Sequence, residues 1–244
     1  MESEKSYLSR YKLPPITKFG EHRTRTWQAN LFEGLFPHLD GDISILEIGS
    51  GRGEFADECE QRRYKYTGIE PSEELSELLI KKGFNILKSR VPPINLPNNT
   101  YDFIYSMDLV EHLPSYKEVL ELFIECFRVI KKDGYICIIT PNYSTLKELF
   151  FEHEYQQSFP TTETRLLRLF EDSGFRIVKH RAFLISPSMG RYFQYLDRLL
   201  AHTLIPIVRN MMFRNIIKFC FGRNFLFRVH KNLYDHIGVL VQKV

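Results

Sequence analysis

The chain holds 244 residues, 43% of them hydrophobic and 26% charged, a balance that excludes disordered, collagen-like and disulfide-stapled chains and fits a soluble globular protein. A formal net charge of +3, from 33 basic and 30 acidic residues, excludes a molecule that binds nucleic acid through its overall charge. The length predicts one large α/β domain with an appendage, and the four scattered cysteines, Cys59, Cys126, Cys137 and Cys220, match no metal-ligand or redox spacing.

Residues 1 to 20 are polar with a Pro14-Pro15 pair and read as an arm, followed by a helix over 21–36 in which Trp27, Leu31, Leu35 and Phe36 recur at helical spacing. The run Ile43-Ser44-Ile45-Leu46-Glu47-Ile48 is a short β-branched strand, stopped by Gly49-Ser50-Gly51-Arg52-Gly53 and followed by a helix from Glu54 to about Arg63. A second strand, Tyr66 to Ile69, ends at Glu70, and Ser72 caps a helix to Lys82 that Gly83 closes. A weak strand near 84–87 precedes a proline-rich loop, and Tyr101 to Met107 is a fourth strand. Ser115 caps a helix expected to run to Lys132 with Asp133-Gly134 as its stop, before a buried fifth strand from Tyr135 to Thr140. A helix from Thr161 to Asp172, a strand from Phe175 to Ile185 and a last strand from Ile237 to Val241 complete the pattern. Strands alternating with helices predict a mostly parallel, Rossmann-like α/β sheet with helices on both faces. The expected organisation is an N-terminal arm and helix over 1–37, a core over 38–185 and 233–244, and a helical insertion over 186–232.

In an open α/β sheet, ligands bind beyond the carboxyl ends of the strands. The first of these ends is the glycine turn. A dinucleotide fingerprint needs G-x-G-x-x-G, but here the third glycine is Gly53 and Glu54 follows, which argues against a nicotinamide cofactor. Glu70 stands at the end of the next strand, about twenty residues on, where a carboxylate can accept both ribose hydroxyls of a nucleoside.

Leu46-Glu47-Ile48-Gly49-Ser50-Gly51-Arg52-Gly53, Gly68-Ile69-Glu70-Pro71-Ser72, Tyr101-Asp102-Phe103-Ile104 and Met107-Asp108-Leu109-Val110-Glu111-His112-Leu113 resemble the successive motifs of class I S-adenosylmethionine-dependent methyltransferases. The branch most similar is the small-molecule one that includes the ubiquinone-pathway O-methyltransferases. The resemblance spans roughly Trp27 to Ile185. It implies S-adenosylmethionine as cofactor, with Glu47, Gly49, Ser50, Gly51 and Gly53 around its methionine part, Glu70 and Pro71 at the ribose, and Met107 and Asp108 lining the pocket. Where relatives carry an acid near the adenine, this chain has Lys88-Ser89-Arg90.

An oxygen acceptor needs a base to take its proton. His112, beside Glu111 after the fourth strand, is the first candidate, with His153 and Tyr155 after the fifth strand as second choices. The place after the fourth strand reads Ser106-Met107-Asp108-Leu109, unlike the Asn/Asp-Pro-Pro-aromatic signature of nucleic-acid amino methyltransferases, so base methylation is disfavoured. No metal is expected.

Seven Lys/Arg residues lie between Arg198 and Lys231 with no Asp or Glu, so the rest of the chain carries −4 against the total of +3. Apolar positions Leu196, Leu199, Leu200 and Leu204, and phenylalanines from Phe213 to Phe227, interleave with them. The segment is expected to form a lid, a basic, aromatic contact with an anionic membrane surface, or a helical cap packed on its own sheet or on a second subunit, and no run in it reaches the roughly 18 apolar residues that a span needs. The expected activity is O-methylation of a small molecule: a sugar of a surface glycan or lipid-linked precursor, or a phenolic or quinone-type metabolite. The alternatives are methylation of a tRNA nucleoside and a non-catalytic cofactor-binding or membrane-associated protein. Nothing at the N-terminus reads as a secretory signal, and the expected location is cytoplasmic, with contact at the inner face of the membrane.

Overall fold

The structure, a computed structural model, describes residues 39, 41–147, 150–151, 157–184, 216, 219 and 235–244. The expected N-terminal arm and helix, His153, Tyr155 and nearly all of the 186–232 insertion lie outside the described residues.

Seven strands form one sheet: β1 (Ser44–Ile48), β2 (Lys65–Ile69), β3 (Ile86–Leu87), β4 (Tyr101–Met107), β5 (Ile130–Pro141), β6 (Arg176–Leu184) and β7 (Asp235–Gln242), in the spatial order β3-β2-β1-β4-β5-β7-β6. The pairs among the first five strands are parallel, whereas β7 runs antiparallel to both β5 and β6. Chain order reverses between β1 and β4, which opens a crevice at their carboxyl ends.

The helices are α1 (Glu54–Gln61), α2 (Glu73–Lys81), α3 (Tyr116–Val129), a single turn α4 (Tyr143–Leu146) and α5 (Glu163–Asp172). Strand period two sends Leu46 and Ile48 of β1 to one face, into a core with Val119, Leu122 and Phe123 of α3 and Leu166 and Phe170 of α5. Ile45 points to the other face and packs with Phe55 and Cys59 of α1, Phe103, Tyr105 and Cys137. Both faces are therefore covered, as an alternating β/α sequence requires. The three described cysteines are buried and free, and burial pushes their thiols up, so they act as small hydrophobes.

The junction of α3 and β5 departs furthest from the sequence expectation. The helix begun at Tyr116 ends at Val129, and Ile130, the first residue of β5, already pairs with Tyr101 of β4. Asp133, at φ 62°, and Gly134 lie inside β5 where its register on β4 shifts, so they mark an irregularity in a strand rather than stopping a helix. Lys131 Nζ donates to both oxygens of the Asp102 carboxylate at 2.9 and 2.8 Å. This anchors the stretch before that irregularity to β4, and a local propensity for helix loses to that tertiary pairing.

Candidate active site

The loop after β1 turns back against β2: the N–H groups of Gly49 and Ser50 both donate to the Ile69 carbonyl, at 2.8 and 3.2 Å. Gly51 sits at φ 54°, and a Cβ placed on it meets nothing within 4 Å. The turn thus offers bare backbone facing open space at the end of the strand, where a ligand can approach closely.

Glu70, one residue beyond β2, ties this turn to α2. Its Oε2 accepts from Gly51 N at 2.9 Å and its Oε1 from Ser72 N at 2.8 Å. Burial raises its pKa, and the two backbone donors pull it back. Each carboxylate oxygen has a second lone pair, so the side chain can hold the turn and still accept two hydroxyls. The sequence expectation gave Glu70 only the second of these tasks.

Beneath the turn lies a buried polar cluster. Tyr66 donates its hydroxyl to Glu47 Oε2 at 2.5 Å, and Ser50 Oγ lies 2.8 Å from the same phenol oxygen. Burial raises the Glu47 pKa well above the usual range; the Tyr66 bond opposes this, while Glu54 and Glu70 add to it. Burial also drives the Tyr66 phenol up, with Glu47 adding to the shift. Gly68 makes the room: a Cβ there would stand 2.3 Å from Ser50 Oγ and 2.6 Å from Ile86 Cδ1. Tyr66 and Gly68 were not among the expected site residues, because their roles depend on a cross-strand register, Glu47 opposite Gly68.

The β3 end supplies the third side of the crevice. Glu70 N donates to Leu87 O at 3.0 Å, which sets the two loops side by side. Lys88 is turned outward and pairs with the Glu73 carboxylate, lowering the pKa of that acid. Ser89 Oγ is buried with no hydrogen-bond partner among the described residues. An orphaned buried hydroxyl is costly unless a ligand satisfies it. Bare backbone at Gly51, a buried ribose-type carboxylate and this hydroxyl together fit an adenosyl group. Glu47 lies near the end of β1, Gly49, Ser50, Gly51 and Gly53 form the turn before α1, Glu70 follows β2, and Pro71 links Glu70 to the start of α2.

Across the crevice, β4 ends in Met107, whose sulfur receives the Tyr105 hydroxyl at 3.5 Å. Asp108 follows in the left-handed region, φ 51°, and leads into a short 3-10 turn, Val110–His112. Its Oδ1 lies 3.0 Å from His236 Nε2 on β7, so this side chain leans away from β1 and β2. Glu111 is buried: its Oε2 accepts from Thr140 Oγ1 at 3.0 Å and its carbonyl accepts from Ser158 and Phe159 N–H groups at 2.8 and 3.0 Å. His112 is half-exposed, with Nε2 4.0 Å from Glu111 Oε1. His153 lies outside the described residues. Among those residues no cluster of His, Cys, Asp and Glu suits a metal.

Comparison with known proteins gives a match to the methyltransferase-domain family model over residues 19–180. No curated protein matches the chain. Among solved structures, it is similar to a SAM-dependent methyltransferase from Archaeoglobus fulgidus (TM-score 0.61, 21% identity, 90% of this chain and 94% of that one covered). It is also similar to SAM-dependent methyltransferases from Methanosarcina mazei (TM-score 0.59, 18% identity, 86% and 98% covered). A third likeness is to phosphoethanolamine N-methyltransferase 2 of Haemonchus contortus in complex with S-adenosyl-L-methionine (TM-score 0.63, 15% identity, 98% and 59% covered). At such identities these likenesses carry the fold, and the family match carries the chemistry. The chain belongs to the methyltransferase-domain family and is an S-adenosylmethionine-dependent methyltransferase.

Proposed function

We propose that the chain methylates an oxygen of a small molecule, either a sugar hydroxyl of a surface glycan or its lipid-linked precursor, or a phenolic or quinone-type hydroxyl. When bound, S-adenosylmethionine supplies a sulfonium methyl open to in-line displacement. The protein's part is to hold both partners in line, which is worth about 7–11 kcal/mol of barrier, and to take the acceptor's proton.

The observation that carries the oxygen reading is the half-exposed imidazole of His112, set by the 3-10 turn after β4 with the buried Glu111 carboxylate 4.0 Å behind it. A hydroxyl must lose its proton as it is alkylated, and an imidazole at that mouth can receive it. The buried Glu111, fixed by Thr140, supports the positive charge that His112 would gain.

Labelled methyl should pass from S-adenosylmethionine into the lipid or small-molecule pool of a fractionated cell extract. Label confined to the RNA pool would instead support a tRNA nucleoside as acceptor. Replacing His112 by Ala should lower turnover about 10²–10⁴-fold with donor affinity intact; a loss under about fivefold would remove it as the base.

A further inference from the structure

We propose that Asp108 is the carboxylate that orients the methyl acceptor, with His236 as the positioning residue that aims it. The inference rests on the methyl-transfer reading and adds the acceptor side of the site, including the kind of acceptor it selects.

Two independent features coincide at this pair. Asp108 is a non-glycine residue held at φ 51° at the carboxyl end of β4, with its N–H fixed to the Ile139 carbonyl at 3.0 Å. Side chains are rarely held in this region unless the surroundings impose it, and such residues cluster at functional sites. Its carboxylate meets an imidazole that is only 3% exposed, while its own side chain is 47% exposed. A carboxylate can only accept, so the His236 nitrogen facing it, Nε2, carries the proton. That bond takes up Oδ1 and leaves the remaining lone pairs toward solvent.

The topology fixes which half of the crevice this serves. Glu47, the glycine turn and Glu70 stand at the ends of β1 and β2, on one side of β4. His236 pairs with Pro141 at the end of β5, on the other side. The Asp108–His236 pair therefore bridges the ends of β4, β5 and β7. The donor half remains close: a Cβ on Gly49 would stand 3.5 Å from Leu109 Cδ1, next in chain to Asp108. A carboxylate beside the donor pocket but turned from it is placed to accept a hydrogen bond from the second substrate. It selects acceptors that carry a hydroxyl or ammonium group next to the methylated oxygen and repels those with a carboxylate or phosphate there.

The test uses the intact chain and the variants Asp108→Asn, His236→Phe and His236→Gln. Asparagine tolerates the left-handed backbone, and the Gln amide places an N–H near the position of Nε2. The resemblance put Asp108 in the donor pocket; with its carboxylate turned to His236 instead, S-adenosylhomocysteine should bind all three variants within about threefold of the native chain. Transfer of labelled methyl into the acceptor pool should fall at least about 30-fold in Asp108→Asn and His236→Phe and recover to within about fivefold in His236→Gln. Native rates in Asp108→Asn overturn the proposal, as does a folded His236→Gln no better than His236→Phe. A loss of donor affinity beyond about tenfold in both Asp108→Asn and His236→Phe also overturns it, by placing the pair in the donor site. If the native chain labels no pool at all, the function reading fails and takes this inference with it, an outcome distinct from native activity that the variants retain.

Discussion

Glu47 shows what a single buried carboxyl contributes here. Its pKa is raised chiefly by burial, against the Tyr66 hydrogen bond, so the folded state favours its protonated form. A carboxyl whose folded pKa exceeds its unfolded value contributes stability that is complete below the ordinary glutamate range. That stability is lost as pH climbs to the raised value. Glu47→Gln keeps an oxygen for Tyr66 and cannot ionise. Urea unfolding between about pH 5 and 8 should therefore show the variant gaining on the native chain as pH rises; parallel curves would contradict the buried, raised carboxyl. The glycine turn and Glu70 were readable in the sequence because their chemistry is local to two adjacent strand ends. His236 was not, because 128 residues separate it from Asp108 and only the register of β7 on β5 brings them together. The role of Gly68, though it stands in one of the motifs that carry the resemblance, was not readable for the same reason: what forbids a side chain there includes Ser50 Oγ, from another loop.

Among the elements, α3 and α5 support the sheet face behind the acceptor half. Phe123 of α3 and Phe170 of α5 stack with ring centroids 4.0 Å apart and an interplanar angle of 3°, and both are fully buried. Phe170→Ala should cost about 3–5 kcal/mol in chemical denaturation through the cavity it leaves. Affinity for S-adenosylhomocysteine at low temperature should stay unchanged, because the hydrogen bonds that fix the glycine turn and Glu70 involve no residue of α5. A loss below about 1 kcal/mol would mean that α5 is not packed as described. Both helices were expected from the sequence, α3 from its Ser115 cap and Asp133-Gly134 stop, with ends within a few residues of those observed. The end of α3 was misplaced because Asp133-Gly134 carries the same residue signal whether it closes a helix or interrupts a strand. The single turn α4 and the 3-10 turn at His112 are too short to leave a periodic pattern.

The whole molecule combines a slightly acidic remainder with a basic, aromatic stretch from Arg198 to Lys231. No helix among the described residues is long and apolar enough to cross a membrane. Basic residues near an anionic surface contribute about 1 kcal/mol each, so seven of them should bring the protein to phosphatidylserine vesicles in low salt and release it at high salt. Co-sedimentation that is absent, or equal at both salt concentrations, would remove the membrane contact from the account. The central claim concerns Glu70, which braces the glycine turn and is proposed to grip the donor's ribose. Calorimetric titration of S-adenosylhomocysteine into the native chain and into Glu70→Ala tests it most directly. Two charge-assisted hydrogen bonds are lost in the variant, so its affinity should fall by at least about 100-fold, whereas undiminished binding by a folded Glu70→Ala chain would contradict the site described here.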